Sequence, residues 1–342
     1  MHASLLDELP IICPACRRES ERGLELASLE LQEAFEREGD EVLAGVLACR
    51  GCRRRFPIID GVPLVLAQLS EYLKTEAAIV VERDLPPALA ALLVEEGPDG
   101  EVLPRLYEHL SIYTDAHWGD CAAPLAGGPG GEGFGAIGER LAARASAPVE
   151  RAVELGCGLG RGLAKLALGA RLTVGVDLHF GALRRARRIL AGHPVPYLRR
   201  QAGRCFATAT VHAEATLGVS LLVGDALDPP LPPGGFERVA ALNLLDNVRV
   251  PAELLTVLDG LCAPGGELIL ASPYAWQSGI VDEGARLGGL DPAGEVRHRL
   301  ERGEGLGARY IVEEEIDLRW SLRRDARSAV VYDTHFLRAR KS

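Results

Sequence analysis

The sequence predicts an α/β protein: a doubly wound, mostly parallel sheet preceded by a small domain organised by cysteines. Three observations carry that expectation. Beyond residue 146, short apolar runs alternate with helical stretches, the pattern of strands joined by crossover helices. One of those strands, ending Val153-Glu154-Leu155, opens directly into a glycine-rich turn and then a helix. Near the N-terminus, four of the eight cysteines fall into two Cys-x-x-Cys pairs, whereas Cys121, Cys157, Cys205 and Cys262 are scattered.

Length and composition set the frame. At 342 residues the chain exceeds what one hydrophobic core usually organises, and the expected division is a cysteine domain over 1–68, a helical connector or cap over 69–145, and the sheet over 146–342. Hydrophobic residues at 47% and charged residues at 25% describe a chain able to bury a sizeable core. A formal charge of −10 argues against a chain-wide grip on nucleic acid, although Arg50, Arg53, Arg54 and Arg55 form a local basic cluster. No apolar run approaches the roughly 20 residues that cross a bilayer. The start, Met1 to Glu8, lacks a basic region followed by a long apolar one, so a cytoplasmic protein with no membrane partner is expected.

Each Cys-x-x-Cys turn presents two thiolates to one side. Cys13, Cys16, Cys49 and Cys52 together would complete a closed tetrahedral Zn2+ site with no position for water, a structural rather than catalytic arrangement. Thirty-two residues, 17 to 48, separate the pairs, which implies an inserted element; the stretch from about Ser20 to Glu38 reads as a polar helix. The second knuckle followed by Phe56-Pro57-Ile58-Ile59-Asp60-Gly61-Val62-Pro63 resembles the Trm112-like family of small zinc-ribbon proteins that support methyltransferases. That resemblance, over about residues 8 to 68, implies a scaffold that packs in cis on an enzyme or contributes to self-association.

The connector reads as helical through Tyr72, Leu73, Ile79, Val80 and Val81, and again through Leu103, Leu106 and Leu110, with a break at Pro86-Pro87. Gly127 to Gly133 is a flexible loop by composition, expected to serve as a tether, with a lid as the alternative.

In the sheet half, Gly156-Cys157-Gly158-Leu159-Gly160 lets backbone approach a ligand at a helix N-terminus. The second strand ends at Asp177, 21 positions after Gly156, where a ribose hydroxyl acceptor is expected. A dinucleotide fingerprint wants Gly or Ala where Arg161 stands, and Glu154 ahead of the loop suits a sulfonium or ammonium group. A third strand ends at Asp225-Ala226, a fourth at Asn243, and Pro264 to Ser272 makes a turn and a fifth. On these residues the chain resembles class I S-adenosylmethionine-dependent methyltransferases. The resemblance implies a Rossmann-like methyltransferase domain with Glu154, Gly156, Gly158, Gly160, Asp177, Asp225, Ala226 and Asn243 around the cofactor.

A finer likeness follows. Asn243-Leu244-Leu245-Asp246-Asn247, Ala271 to Trp276, Leu287-Gly288-Gly289 and Leu322 to Arg327 resemble the 4-mercaptohistidine N1-methyltransferase family, as does the long insertion from about Pro194 to Gly218. Asn247 stands where that family tends to have Arg. It implies a small imidazole or amino-acid-like methyl acceptor. By chemistry, Asn243 and Asp246 would orient a polar nucleophile, with Asp246 selecting a tautomer or receiving a proton through water. Tyr274 would act beside them, and Trp276 with Tyr274 would form a wall for a flat ring. Arg323 and Arg327, four apart, would share a helical face and grip a carboxylate; His335 and His117 are further acceptor contacts or weak bases. The competing readings are a methyltransferase on RNA or protein, with the zinc ribbon as docking module, and an adaptor that retains cofactor without catalysis.

Overall fold

The computed structural model describes residues 1–20, 23–83, 85–86, 89–90, 92–93, 111–123, 133–203 and 205–342. The expected helix through Leu103, Leu106 and Leu110, and the glycine-rich stretch up to Glu132, lie outside the described residues.

The N-terminal region starts with the short helix α1 (Leu5–Glu8) and a two-stranded ribbon, β1 (Arg18–Ser20) and β2 (Gly23–Glu25). A four-stranded antiparallel sheet follows: β3 (Leu29–Glu38), β4 (Glu41–Cys49), β5 (Arg55–Ile59) and β6 (Val62–Pro63). The polar helix expected over Ser20 to Glu38 is therefore corrected to strand. Its Glu-rich sequence favours helix locally, but Gly39, at φ +55°, and Asp40 close a hairpin that pairs β3 with the more apolar β4. Tertiary pairing outweighs propensity there.

Helix α2 (Leu69–Val81) leads away from this domain, residues 111–118 are helical, and α3 (Gly135–Ala142) precedes the main sheet. Seven strands make that sheet: β7 (Val149–Leu155), β8 (Ala170–Asp177), β11 (Val219–Val223), β12 (Phe236–Leu242), β13 (Cys262–Ser272), β14 (Tyr310–Arg323) and β15 (Ala329–Lys341). Between β8 and β11, the insertion forms a separate hairpin of β9 (Val195–Ala202) and β10 (Cys205–Val211). The main order is β11-β8-β7-β12-β13-β15-β14; the first five strands run parallel, and β15 is antiparallel to both neighbours. Helices α4 (Arg161–Leu166), α5 (Phe180–Leu190), α6 (Pro251–Leu261) and α7 (Pro292–Arg302) complete the fold.

Residues on the central strands alternate between two cores, as a sheet buried on both faces requires. Val153, Val174, Val239 and Leu268 face one side, whereas Ala152, Ala240 and Ile269 face the other. The crossover from β11 to β12 carries no helix. Its place on the first face is taken by the N-terminal domain, whose Leu9, Ile11, Leu47 and Phe56 join the same core as Val153, Val174 and Leu222. The edge is covered as well: Leu64 forms a parallel bridge to Val223, and the Val65 N–H donates to the Val223 carbonyl at 2.9 Å. An exposed edge strand is a template for wrong pairing, and this one is paired within the chain. Arg187 grips Glu41 through two bonds of 2.9 and 2.6 Å, holding α5 to β4.

The helical face expected for Arg323 and Arg327 is also corrected. Leu318, Trp320 and Leu322 are buried at a spacing of two, which is strand periodicity; Arg323 ends β14 and Arg327 lies in the turn to β15. Among the described residues no helix is long and apolar enough to cross a membrane.

Candidate functional site

The strand tips of β7, β8, β11 and β12 open on a cavity of about 550 Å³, at the carboxyl edge where α/β sheets bind ligands. Glu154, Gly156, Gly158, Asp177, Asp225, Ala226 and Asn243 all line it. Gly160 does not; at φ +77° it caps the N-terminus of α4 and packs against Leu190 and Ala186 of α5. Gly156 is at φ +71°, a backbone conformation that favours glycine, and a Cβ there would also press on the Leu244 side chain at 2.7 Å.

Asp177 organises the loop it faces. It accepts the Gly158 N–H and the His179 N–H, each at 2.8 Å, joining the glycine turn to the start of α5. Asp225 accepts the Leu227 N–H at 2.9 Å and stands 3.5 Å from Arg249. Glu154 is 2% exposed and its Oε2 has no hydrogen-bond partner among the described residues. Burial, and then the neighbouring Asp177, push its pKa well above the ordinary glutamate range.

These features fit a cationic nucleoside better than a dinucleotide. Three carboxylates line the cavity, and among its described lining residues Arg249 is the sole lysine or arginine. Arg161, at the position a pyrophosphate loop would give to a small residue, turns away: it pairs with Asp120 at 2.5 Å and lies 4.7 Å over the Trp118 ring. A positive charge near Glu154 would offset the cost of ionising that buried acid. The residues present therefore fit S-adenosylmethionine.

At the tip of β12, Asn243 sits at φ +53°, a conformation that asparagine tolerates better than most residues. Its N–H donates to the Ala271 carbonyl at 2.7 Å, its carbonyl accepts from the Asn247 amide at 3.1 Å, and its Oδ1 is buried without a partner among the described residues. Asp246 is 1% exposed and does not line the cavity. It accepts the Ala275 N–H at 2.9 Å and the Ser272 hydroxyl at 3.3 Å, so it fastens the segment after β13 to the turn after β12. Burial raises its pKa.

Tyr274, Trp276 and His335 form a second cluster outside the cavity lining. The Tyr274 hydroxyl meets His335 Nδ1 at 2.8 Å, and His335 Nε2 meets Glu315 at 3.1 Å. The Tyr274 and Trp276 ring centres are 5.9 Å apart. Burial, then Glu315 and Asp246, hold the Tyr274 hydroxyl protonated by raising its pKa. Arg323 stands 3.9 Å from Asp115, and Arg327 makes a backbone bond to Asp325 at 2.7 Å; neither lines the cavity.

The aromatic lining residues absent from the motif reading are Tyr113, Phe134 and Trp320, which join His117; His179, Arg249 and Ile280 are further lining residues it did not reach. Tyr113 and His117 are four apart on one helical segment, a spacing that puts them on one face. Trp118 ties that segment to the glycine turn, its indole N–H donating to the Leu159 carbonyl at 2.8 Å.

In the N-terminal domain, the four cysteine Sγ atoms lie within 4.8 Å of one another, with Cys13 to Cys52 at 3.9 Å and Cys16 to Cys49 at 3.5 Å. A tetrahedral centre with bonds of about 2.3 Å separates its sulfurs by about 3.8 Å, so this set fits a structural Zn2+. The Gly51 and Cys52 N–H groups also point at Cys49 Sγ, at 3.3 and 3.4 Å. The knuckle reaches the cavity indirectly. Ile12 N–H donates to the Pro230 carbonyl at 2.9 Å, and Arg17 binds Asp228 and the Pro229 carbonyl at 2.5 and 2.7 Å, bracing the loop that starts with Asp225 and Ala226. The basic cluster is partly spent inside the chain: Arg50 pairs with Glu30 at 3.1 Å, and Arg54 donates to the Ala67 carbonyl at 2.5 Å.

The family model described as "Methyltransferase domain" matches residues 153–270, and that described as "Trm112p-like protein" matches residues 11–61. No curated protein matches the chain. Similar solved structures include the Haloferax volcanii complex of the Trm112 methyltransferase activator (18% identity, 67% of this chain and 96% of that chain, TM-score 0.39). The N-methyltransferase NodS from Bradyrhizobium japonicum with S-adenosyl-L-homocysteine is 16% identical over 60% of this chain and 86% of its own, TM-score 0.39. Magnesium protoporphyrin IX methyltransferase from Synechocystis is 13% identical over 80% and 97%, TM-score 0.41. All three are remote. The chain thus carries a class I S-adenosylmethionine-dependent methyltransferase domain behind a Trm112p-like, four-cysteine zinc domain.

Proposed function

We propose that this methyltransferase acts on a nitrogen of a small molecule, of the imidazole or amino-acid-like type. The observation that carries the reading is Asn243: a buried amide oxygen without a partner among the described residues, on a backbone turn at the cavity wall. An acceptor N–H bonded to that oxygen would be held with its lone pair directed along one line, and alignment supplies much of what such a displacement needs. When bound, S-adenosylmethionine supplies an electrophilic methyl group and departs as a neutral thioether. The acceptor's lone pair forms the new N–C bond while the C–S pair stays on sulfur, and the product returns to neutrality by losing a proton to water, from the attacking nitrogen of an amine or from the other ring nitrogen of an imidazole.

Glu154 and Asp177 place negative charge on the cavity wall, and Asp225 offers a further carboxylate for an amino group of the base. Asp246 serves as a positioning residue, since its carboxylate holds the turn bearing Asn243 against the segment carrying Tyr274. The likeness of Asn243 to Asn247 and of Ala271 to Trp276 to the 4-mercaptohistidine N1-methyltransferases supports an imidazole-type acceptor. The acidic chain and the internal pairing of Arg50 and Arg54 favour a small acceptor over RNA.

The test is incubation with labelled methyl donor and a cell extract separated by size. Label in the small-metabolite fraction supports the proposal; label confined to RNA or protein replaces it with a macromolecular substrate. Tight cofactor binding with no transfer to any fraction would leave the adaptor reading in its place.

A further inference from the structure

With the cofactor assigned along Asp225, Asp177 and Glu154, one wall of the cavity has no assigned occupant. Tyr113 and His117 come to it from the helical segment 111–118, Phe134 from the residue before α3, and Trp320 from β14. The wall is aromatic and ordered by stacking: the His117 and Phe134 rings are 5.5 Å apart at 24°, and Trp320 stacks on Tyr332 at 5.5 Å and 27°. Trp320 is 4% exposed, and its indole N–H has no acceptor among the described residues. Such a buried donor is uncommon in a folded protein. His117 Nδ1 is buried and unpartnered in the same way. None of the four side chains carries a fixed charge, and Arg249, the sole lysine or arginine among the described lining residues, lies beside Asp225.

We propose that Tyr113, His117, Phe134 and Trp320 form the methyl-acceptor subsite, and that it selects a planar, uncharged aromatic ring with a hydrogen-bonding edge. This rests on the methyl-transfer reading and narrows it, because none of the four side chains offers a zwitterionic amino acid a counter-charge for its carboxylate. A flat ring gains stacking against this wall, and a ring nitrogen other than the one methylated, or an oxygen on the ring, accepts the Trp320 N–H. His117 suits the role because burial, and then Arg161, lower its pKa to about 4, so it stays neutral beside a cationic cofactor.

The experiment uses the full chain. Calorimetry with S-adenosylhomocysteine first establishes the cofactor site; failure to bind would overturn the methyl-transfer reading and this one with it. With that nucleoside bound, imidazole, 1,2,3-triazole and 1,2,4-triazole are compared with glycine, sarcosine and ethanolamine by tryptophan fluorescence and by methyl transfer from the labelled donor. The planar probes should quench the fluorescence and give the lower KM. Trp320→Phe keeps a ring and removes the donor; it should raise KM for planar probes about 10-fold, leave kcat within about 2-fold, and leave S-adenosylhomocysteine affinity unchanged. His117→Gln, neutral and able to hydrogen-bond, should raise KM less. Preference for the aliphatic amines, absence of planar-probe binding, or a Trp320→Phe loss that falls on the cofactor instead of the acceptor would each overturn the proposal.

Discussion

The two ends of the cavity are built differently. At the cofactor end, Glu154, Asp177 and Asp225 sit at the tips of adjacent parallel strands, each reached by a few residues of regular chain. At the other end, Tyr113, Phe134 and Trp320 are separated by up to 207 positions and arrive on a helical segment, a helix cap and an antiparallel strand. The first end depends on local geometry, so single residues there hold backbone and ligand together. The second depends on packing, so its effects should be spread over several side chains and appear in acceptor parameters.

The widest expected separation is between Asn243 and the cofactor residues. Asn243→Ala should lower kcat by about 100-fold or more through lost alignment, with S-adenosylhomocysteine affinity within about 3-fold. Comparable losses in single-turnover rate and in calorimetric affinity would erase the distinction between the two ends. Asp177→Ala removes a charged acceptor and two bonds to loop N–H groups; affinity should fall about 100-fold. If instead kcat at saturation falls and affinity holds, Asp177 belongs with the reacting group.

Removal of the metal comes next. The four-thiolate centre contributes folding free energy, and the domain it holds braces the Asp225 loop through Ile12 and Arg17. Cys49→Ser, or chelation, should lower Tm by about 10 °C and weaken cofactor affinity about 10-fold, read by scanning calorimetry and titration. An unchanged affinity would show that the brace is dispensable. Asp246→Asn leaves one oxygen to serve the Ala275 N–H and the Ser272 hydroxyl; kcat should fall about 10-fold and affinity less than 2-fold. Equal loss of both would remove Asp246 from the acceptor side.

The smallest effect is a pH slope. Glu154 in the empty protein has its pKa raised above the ordinary 4.5, so its contribution to stability is full below that value and declines as pH rises through the raised one. A bound cation favours the ionised form. Affinity for S-adenosylmethionine should therefore increase by a few-fold over the same rise, with protons released in calorimetry, and Glu154→Gln should flatten both. Proton uptake on binding would contradict the assignment.

Much of this molecule is legible in its sequence because the signals are short-range. Two Cys-x-x-Cys turns, a strand running into Gly156-Cys157-Gly158, and acids at the ends of successive strands are each decided by neighbours a few positions apart. The errors share a cause. Ser20 to Glu38 has helical composition but becomes strand because a hairpin partner outweighs propensity, and Arg323 and Arg327 were spaced for a helix where Leu318, Trp320 and Leu322 keep strand alternation. Asp246, Tyr274 and Trp276 carry chemical side chains beside the cavity, yet the structure gives Asp246 two bonds to the segment after β13 and joins Tyr274 to His335.

By itself, the sequence determined the succession of strands β7, β8, β11, β12 and β13 and the chemistry at their tips, since side-chain periodicity and the conformational freedom of glycine act locally. Only the tertiary structure decided that the N-terminal domain stands in for the missing crossover helix, and that Tyr113, His117, Phe134 and Trp320 share one wall. Those arrangements come from burying apolar surface between distant segments, and that force follows area, not position along the chain.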